Sequence, residues 1–263
     1  MKKIVLAALS CVLAVGIGIG SVADAKEWKK VRIATEGAYP PFNLVDADGK
    51  LAGFEIDLAH ALCAEMKVEC TLVKQDWDGM IPALKARKYD LIMASMSITD
   101  ERKQQVDFSD WYYRMPARFV AKKGAGLTTT PEGLKGKTIG VQRETVSDKF
   151  LTDNYGSSVT IKRYATQDEV YLDLTAGRLD AYIADIIVSR DAFLSKPEGK
   201  DYEFTGPEFS DPKWFGDGIG AAMRKQDNDL TALFNKALKA LIANGTYQKV
   251  AAKYPDFDSY LRK

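Results

Sequence analysis

Five side chains in this sequence could do chemistry together. Arg102 follows Thr99 at the spacing of a helix N-cap and its first turn. Its guanidinium fork, beside the free N–H groups of a helix start, suits a carboxylate. Glu36 stands where an alternating strand at 31–34 runs out into a loop, and Asp185 stands at the end of an apolar strand at 179–184. Carboxylates at the C-terminal ends of strands face the crevice in open α/β folds. There they can pair with a cation or, with a shifted pKa, move a proton. Tyr39 lies in a Pro-rich loop and Trp77 between two aspartates. Flat aromatic faces hold a cation at about 0.5–2 kcal/mol per contact. Each residue has a plainer reading. Arg102 could be a surface arginine, Glu36 a solvated loop residue, Asp185 the N-cap of the next helix, and the two rings core aromatics.

The elements around these residues alternate. Val31–Ala34 reads as a strand, and Pro40-Pro41 forbids its continuation. A helix opens at Gly53–Asp57, with Ile56, Ala59, Leu62, Cys63 and Met66 at helical spacing. The strand Thr71–Val73, a helix after Asp76–Gly79 and the strand Tyr89–Ala94 follow. The pattern restarts with strands at 137–141, 159–161 and 179–184, separated by helices from Ser147 and from Asp168. Leu230–Tyr254 is helical, with a break at Asn244-Gly245. This predicts an α/β fold of two lobes with mostly parallel sheets. The crossings fall near 114–118 and 211–218, giving 26–114 plus 218–263 as one lobe and 117–211 as the other. Ligands bind in the cleft between such lobes.

Composition sets the outer limits. The 263 residues are 46% hydrophobic and 28% charged, which is globular. A net charge of +1 leaves no surplus to neutralise phosphates, so nucleic acid is not an expected partner. One histidine, His60, rules out a multi-His metal site, and it reads as an exposed helix residue. No metal or cofactor is expected. Lys2 and Lys3, an apolar run from Ile4 to about Ile19 and Ala23-Asp24-Ala25 form a cleavable export signal over residues 1–25. The run is too short to span a membrane, and Cys11 reads as part of its core. Cleavage leaves Cys63 and Cys70, which in an exported chain read as a disulfide, with two free buried thiols as the alternative.

Several motifs occur in order. They are Glu36–Phe42, Gly53–Leu58, Asp76–Leu84, Ser95–Arg102, Leu174–Ala181 and Gly245–Tyr247. Together they resemble the periplasmic polar amino-acid-binding proteins of ABC importers, above all the lysine/arginine/ornithine- and histidine-binding group, with opine-binding relatives nearby. The resemblance spans the mature chain, and the Cys63–Cys70 spacing is similar to that group's disulfide. It implies two α/β lobes closing on a ligand about a hinge, and a receptor without catalysis. It also implies a periplasmic monomer that hands its ligand to an inner-membrane ABC permease.

An amino acid presents a carboxylate and an ammonium, and a closed cleft must satisfy both. By resemblance Arg102 clamps the carboxylate and Asp185 takes the ammonium, shared with Ser95 and Ser97. Glu36 meets a cationic side chain, and Tyr39 and Trp77 sandwich its stem. Gln142, Val146 and Ser147 belong to a second-lobe loop that closes over the ligand. Departures touch the side-chain end. Glu36 stands where the lysine/arginine/ornithine group commonly has Asp, and opine-binding relatives also carry Glu there. Gln142, Arg143 and Glu144 replace Leu, Gln and Gly, and Ala94 replaces Ser. Arginine, lysine, ornithine, histidine and an opine all remain open as ligands. So does another class, a periplasmic enzyme such as a dehydratase on the same scaffold, with Glu36 or Asp185 as acid or base.

Overall fold

The computed structural model describes residues 27–254 and 259–262. The export signal and Cys11 lie outside the described residues. Two five-stranded sheets carry the molecule. In the first, Lys30–Thr35 pairs in parallel with Glu69–Lys74 and with Leu91–Ile92. Ala222–Met223 and then Asp107–Phe108 extend that sheet antiparallel. In the second, Thr138–Gln142 pairs in parallel with Thr160–Tyr164 and Ala181–Asp185. Ala117–Lys122 and Tyr202–Phe209 complete it antiparallel. The parallel pairings are those demanded by the strand–helix–strand runs. The antiparallel ones involve strands next to the crossings, where the chain enters each sheet from the opposite direction. A small three-stranded ribbon, Ala38–Tyr39, Asn43–Val45 and Leu51–Ala52, sits beside the first sheet.

Helices cover both faces of each sheet, so the core falls into four clusters, two per sheet. The helix Phe54–Met66 buries Phe54, Leu58, Leu62 and Met66 and stops at Lys67 in the left-handed conformation. Its last turn carries Cys63, which is bonded to Cys70 on the adjacent strand. An eight-residue closed loop is worth about 2.5 kcal/mol of chain entropy. The C63A/C70A double variant is therefore expected to unfold about 5–10 °C lower by calorimetry, and an unchanged midpoint would rule out that contribution.

The strand predicted at Tyr89–Ala94 is shorter than its sequence pattern. Only Leu91–Ile92 pairs on both edges. Ser95 then adopts φ +54°, which turns the chain out of the sheet at the cleft. The chain crosses to the second sheet after Tyr113 and returns before Ile219, and these two residues bridge each other. Gly216 allows the return, because a Cβ there would lie 2.2 Å from the Ile98 carbonyl oxygen. The short helix Pro212–Phe215 places Trp214 and Phe215 against Phe150 of the second lobe. These aromatics join the core cluster on that sheet.

Three threonine caps aim helix starts at the space between the sheets. Thr99 caps Asp100–Gln105, Thr145 caps Val146–Tyr155, and Thr166 caps Gln167–Thr175 in a full capping box with Glu169. Among the described residues, no helix is long and apolar enough to cross a membrane.

Candidate functional site

A cleft lies between the two sheets, lined by side chains from both. All ten residues proposed from the sequence line it: Glu36, Tyr39, Trp77, Ser95, Ser97, Arg102, Gln142, Val146, Ser147 and Asp185. They come from both lobes, and the lobes are in contact across them.

Arg102 stands in the first turn of its helix, where Thr99 accepts from its backbone N–H at 3.2 Å. Its Nη1 donates to the Ser97 carbonyl at 3.1 Å and its Nη2 to the Glu144 carbonyl of the other lobe at 3.2 Å. The guanidinium carbon lies 5.2 Å from the centre of the Trp77 ring. Burial lowers its pKa to about 10, so it remains a cation at neutral pH. Trp77 also packs on the first sheet's core, so it serves both as a core aromatic and as a wall of the cleft.

Asp185 ends its strand as expected and precedes a short helix, yet its side chain makes no capping bond. Its Oδ2 accepts instead from the Tyr39 hydroxyl at 3.0 Å, across the lobes. Burial pushes its pKa up to about 7, against the Tyr39 bond and the charge of Arg102. Glu36 is only 4% exposed. Its Oε1 accepts from Gln142 Nε2 at 2.6 Å, again between lobes. Burial pushes Glu36 up to about 7 as well, reinforced by the carboxylates of Asp168 and Asp76.

The charges thus form two groups. Arg102 and Asp185 act on each other, whereas Glu36 stands among Asp76, Asp168 and Lys74. One end of the cleft can take a carboxylate and an ammonium together, and the other is anionic.

The charged departures in the closing loop do not reach the cleft. Arg143 donates to Asp78 across the lobes at 2.6 Å, and Glu144 is exposed. Only Gln142, Thr145, Val146 and Ser147 of that loop line it. His60 is exposed on its helix.

Sequence reasoning missed three contributors. Thr145 lines the cleft while capping its helix. Gln167 also lines it and is 2% exposed. The Thr166-x-x-Glu169 capping box was the signal for its place at the helix start, one residue before the predicted one. Glu55 lies behind the cleft, fully buried against Ser95. No local pattern marks it as different from a surface helix glutamate.

Two α/β lobes that meet over a cleft of paired charges define a class, the two-lobed solute-binding proteins. The chain belongs to the bacterial extracellular solute-binding proteins, family 3, whose family model matches residues 31–257. It is 48% identical over 261 residues to an L-arginine-binding protein of Pseudomonas aeruginosa, covering 99% of each chain. It is 45% identical over 261 residues to the lysine/arginine/ornithine-binding periplasmic protein of Escherichia coli K12, again over 99% of each. Among solved structures it is similar to a periplasmic binding protein of Salmonella typhimurium described for high arginine specificity. That match has a TM-score of 0.79 and 34% identity, and covers 86% of this chain and 98% of that one.

Proposed function

We propose that this protein is the periplasmic receptor of an ABC importer, capturing a cationic amino acid (arginine, lysine, ornithine or histidine) by lobe closure. The observation that carries the reading is the division of the cleft into an Arg102–Asp185 pair and a separate anionic end at Glu36. Arg102 takes the ligand carboxylate. Asp185, Ser95 and Ser97 take the ammonium. Glu36 takes the side-chain cation, and Tyr39 and Trp77 sandwich its stem. Gln142, Val146 and Ser147 close over it. The proposed lobes are 26–114 plus 218–263 and 117–211, after removal of residues 1–25 as an export signal. The receptor acts as a monomer and needs no cofactor.

Each lobe carries half of this set, so ligand favours the closed form, and closure is what a permease can read. An opine brings a second carboxylate. Arg102 is the one cationic side chain among the lining residues, which favours a plain amino acid. Glu36 and Asp185, both pushed up to about 7, also have the pKa of an acid–base pair, which keeps the enzyme reading in view. Burial accounts for both shifts, and a cationic ligand would hold both groups ionised.

Thermal unfolding of refolded, ligand-stripped protein tests the reading. The panel is L-arginine, L-lysine, L-ornithine, L-histidine, L-glutamine, octopine and nopaline. At about a thousand times Kd, binding raises the midpoint by roughly 8–16 °C. A rise with a cationic amino acid and none with glutamine is expected. A rise with an opine alone would move the ligand, and no rise with any would overturn the reading.

A further inference from the structure

Glu55 is a carboxylate wholly inside the first lobe, at the start of the helix Phe54–Met66. It does not itself line the cleft, but it touches Ser95, which does. Every polar group that meets it is a donor. The Ser95 backbone N–H donates to its Oε1 at 2.8 Å and its Oε2 at 2.9 Å. The Ser95 hydroxyl lies 3.0 Å from Oε2. Asn43 Nδ2 donates to Oε2 at 2.8 Å, and the Tyr112 hydroxyl to Oε1 at 2.5 Å. Four donors converging on two oxygens suit a carboxylate, which accepts at both, better than a carboxylic acid, which would spend one position on its own O–H. Burial raises the Glu55 pKa above the ordinary carboxylate value, and each of these hydrogen bonds pulls it back down.

This arrangement determines which way the Ser95 hydroxyl points its proton. Oγ can donate once. A carboxylate beside it at 3.0 Å is the strongest acceptor in reach, so the proton goes to Glu55. The Tyr113 hydroxyl lies 2.8 Å from the same Oγ and donates into one of its lone pairs. One lone pair is left, and Ser95 lines the cleft. Towards a ligand Ser95 is therefore an acceptor only. An acceptor-only hydroxyl satisfies an ammonium and offers nothing to a carboxylate or carbonyl oxygen. The double N–H bond also holds Ser95 at φ +54°, a conformation a serine rarely adopts.

We propose that Glu55 is the positioning residue of the ammonium subsite, consuming the Ser95 proton so that the serine selects an α-amino group. This rests on the reading of the cleft as an amino-acid site. The test is calorimetric titration at pH 7, well below the unfolding midpoint, with L-arginine and with 5-guanidinopentanoate, the same molecule without its α-amino group. The quantity read is the ratio of the two dissociation constants. It cancels any general loss of folded protein, which a merely structural role would produce. Glu55→Gln keeps the size but turns an N–H₂ towards groups that are themselves donors. The Ser95 hydroxyl can then reverse, and the ratio is expected to fall at least tenfold, with less than a threefold change in affinity for 5-guanidinopentanoate. An unchanged ratio overturns the proposal, whatever happens to the unfolding midpoint.

Should Glu55→Gln fail to fold, Ser95→Ala reads the same ratio. It too is expected to lose at least tenfold, and retention of the full ratio would overturn the proposal. Failure of the underlying reading looks different, because wild-type protein would then bind neither compound.

Discussion

Asp185→Asn raises the unfolding midpoint of the ligand-free protein at pH 8 by about 6–16 °C and weakens binding of a cationic amino acid at least a hundredfold. Both effects come from one feature, a carboxylate pushed up to about 7 by burial in the cleft wall. Between its ordinary value and about 7 the folded protein binds this proton more tightly than the unfolded chain does. Stability from this group is therefore greatest below the ordinary carboxylate range and falls as pH rises through about 7. Above that window the ionised group costs the ligand-free fold roughly 3–4 kcal/mol. Asparagine keeps an acceptor for the Tyr39 hydroxyl without the charge. The same charge is what an α-ammonium needs, and leaving that cation unpaired in a closed cleft costs several kcal/mol. Scanning calorimetry at pH 5 and pH 8 should show the wild-type midpoint falling with pH more steeply than the variant's. Equal slopes, or a variant less stable at pH 8, would contradict this account. The residue that binds best is then one that the unliganded fold tolerates poorly.

Binding itself should depend on pH in the opposite direction. Glu36 and Asp185 are both pushed up to about 7 in the closed cleft, and a doubly cationic amino acid requires both ionised. At pH 8 they are charged and affinity is at its plateau. Below 7 each proton must leave before the cation is paired, so each group weakens affinity by up to about tenfold per pH unit. Between pH 6 and 5 the combined loss should approach a hundredfold. Complex formation at pH 6 should release between one and two protons. Titration calorimetry in two buffers of different ionisation enthalpy counts them. Glu36→Gln and Asp185→Asn should each remove one unit of slope. A dissociation constant flat from pH 5 to 8 would mean that neither carboxylate meets a ligand cation. A receptor of this kind loads best at neutral pH and discharges as its surroundings acidify.

Much of this was legible in the residues because the signals are local. Alternation with period 2 in the strand 31–34, helical spacing from Ile56 to Met66 and the break at Pro40-Pro41 are read within a few residues of chain. Caps are equally local, which is why Thr99 placed Arg102 correctly at a helix start. Strand ends then brought Glu36 and Asp185 to the cleft, since a parallel sheet presents the C-terminal ends of its central strands on one side.

What stayed hidden depends on pairings far apart in sequence. The hydrogen bond between Tyr39 and Asp185 spans 146 residues, and that between Gln142 and Glu36 spans 106. Glu55 and Ser95 are 40 residues apart, and nothing near Glu55 in the chain distinguishes a buried acceptor from a solvated helix carboxylate. Likewise the departures at Arg143 and Glu144 bore on the side-chain end, but the loop turns them outward, and Arg143 meets Asp78. The sequence by itself determined the elements, the export signal as an expectation and the chemical types gathered at the cleft, because each depends on local propensity and on side-chain identity. Tertiary structure alone decided which carboxylates are buried together, which way the Ser95 hydroxyl points, and where the chain returns between lobes. Desolvation and hydrogen-bond direction are properties of a site's surroundings, and those surroundings exist only once the distant segments have met.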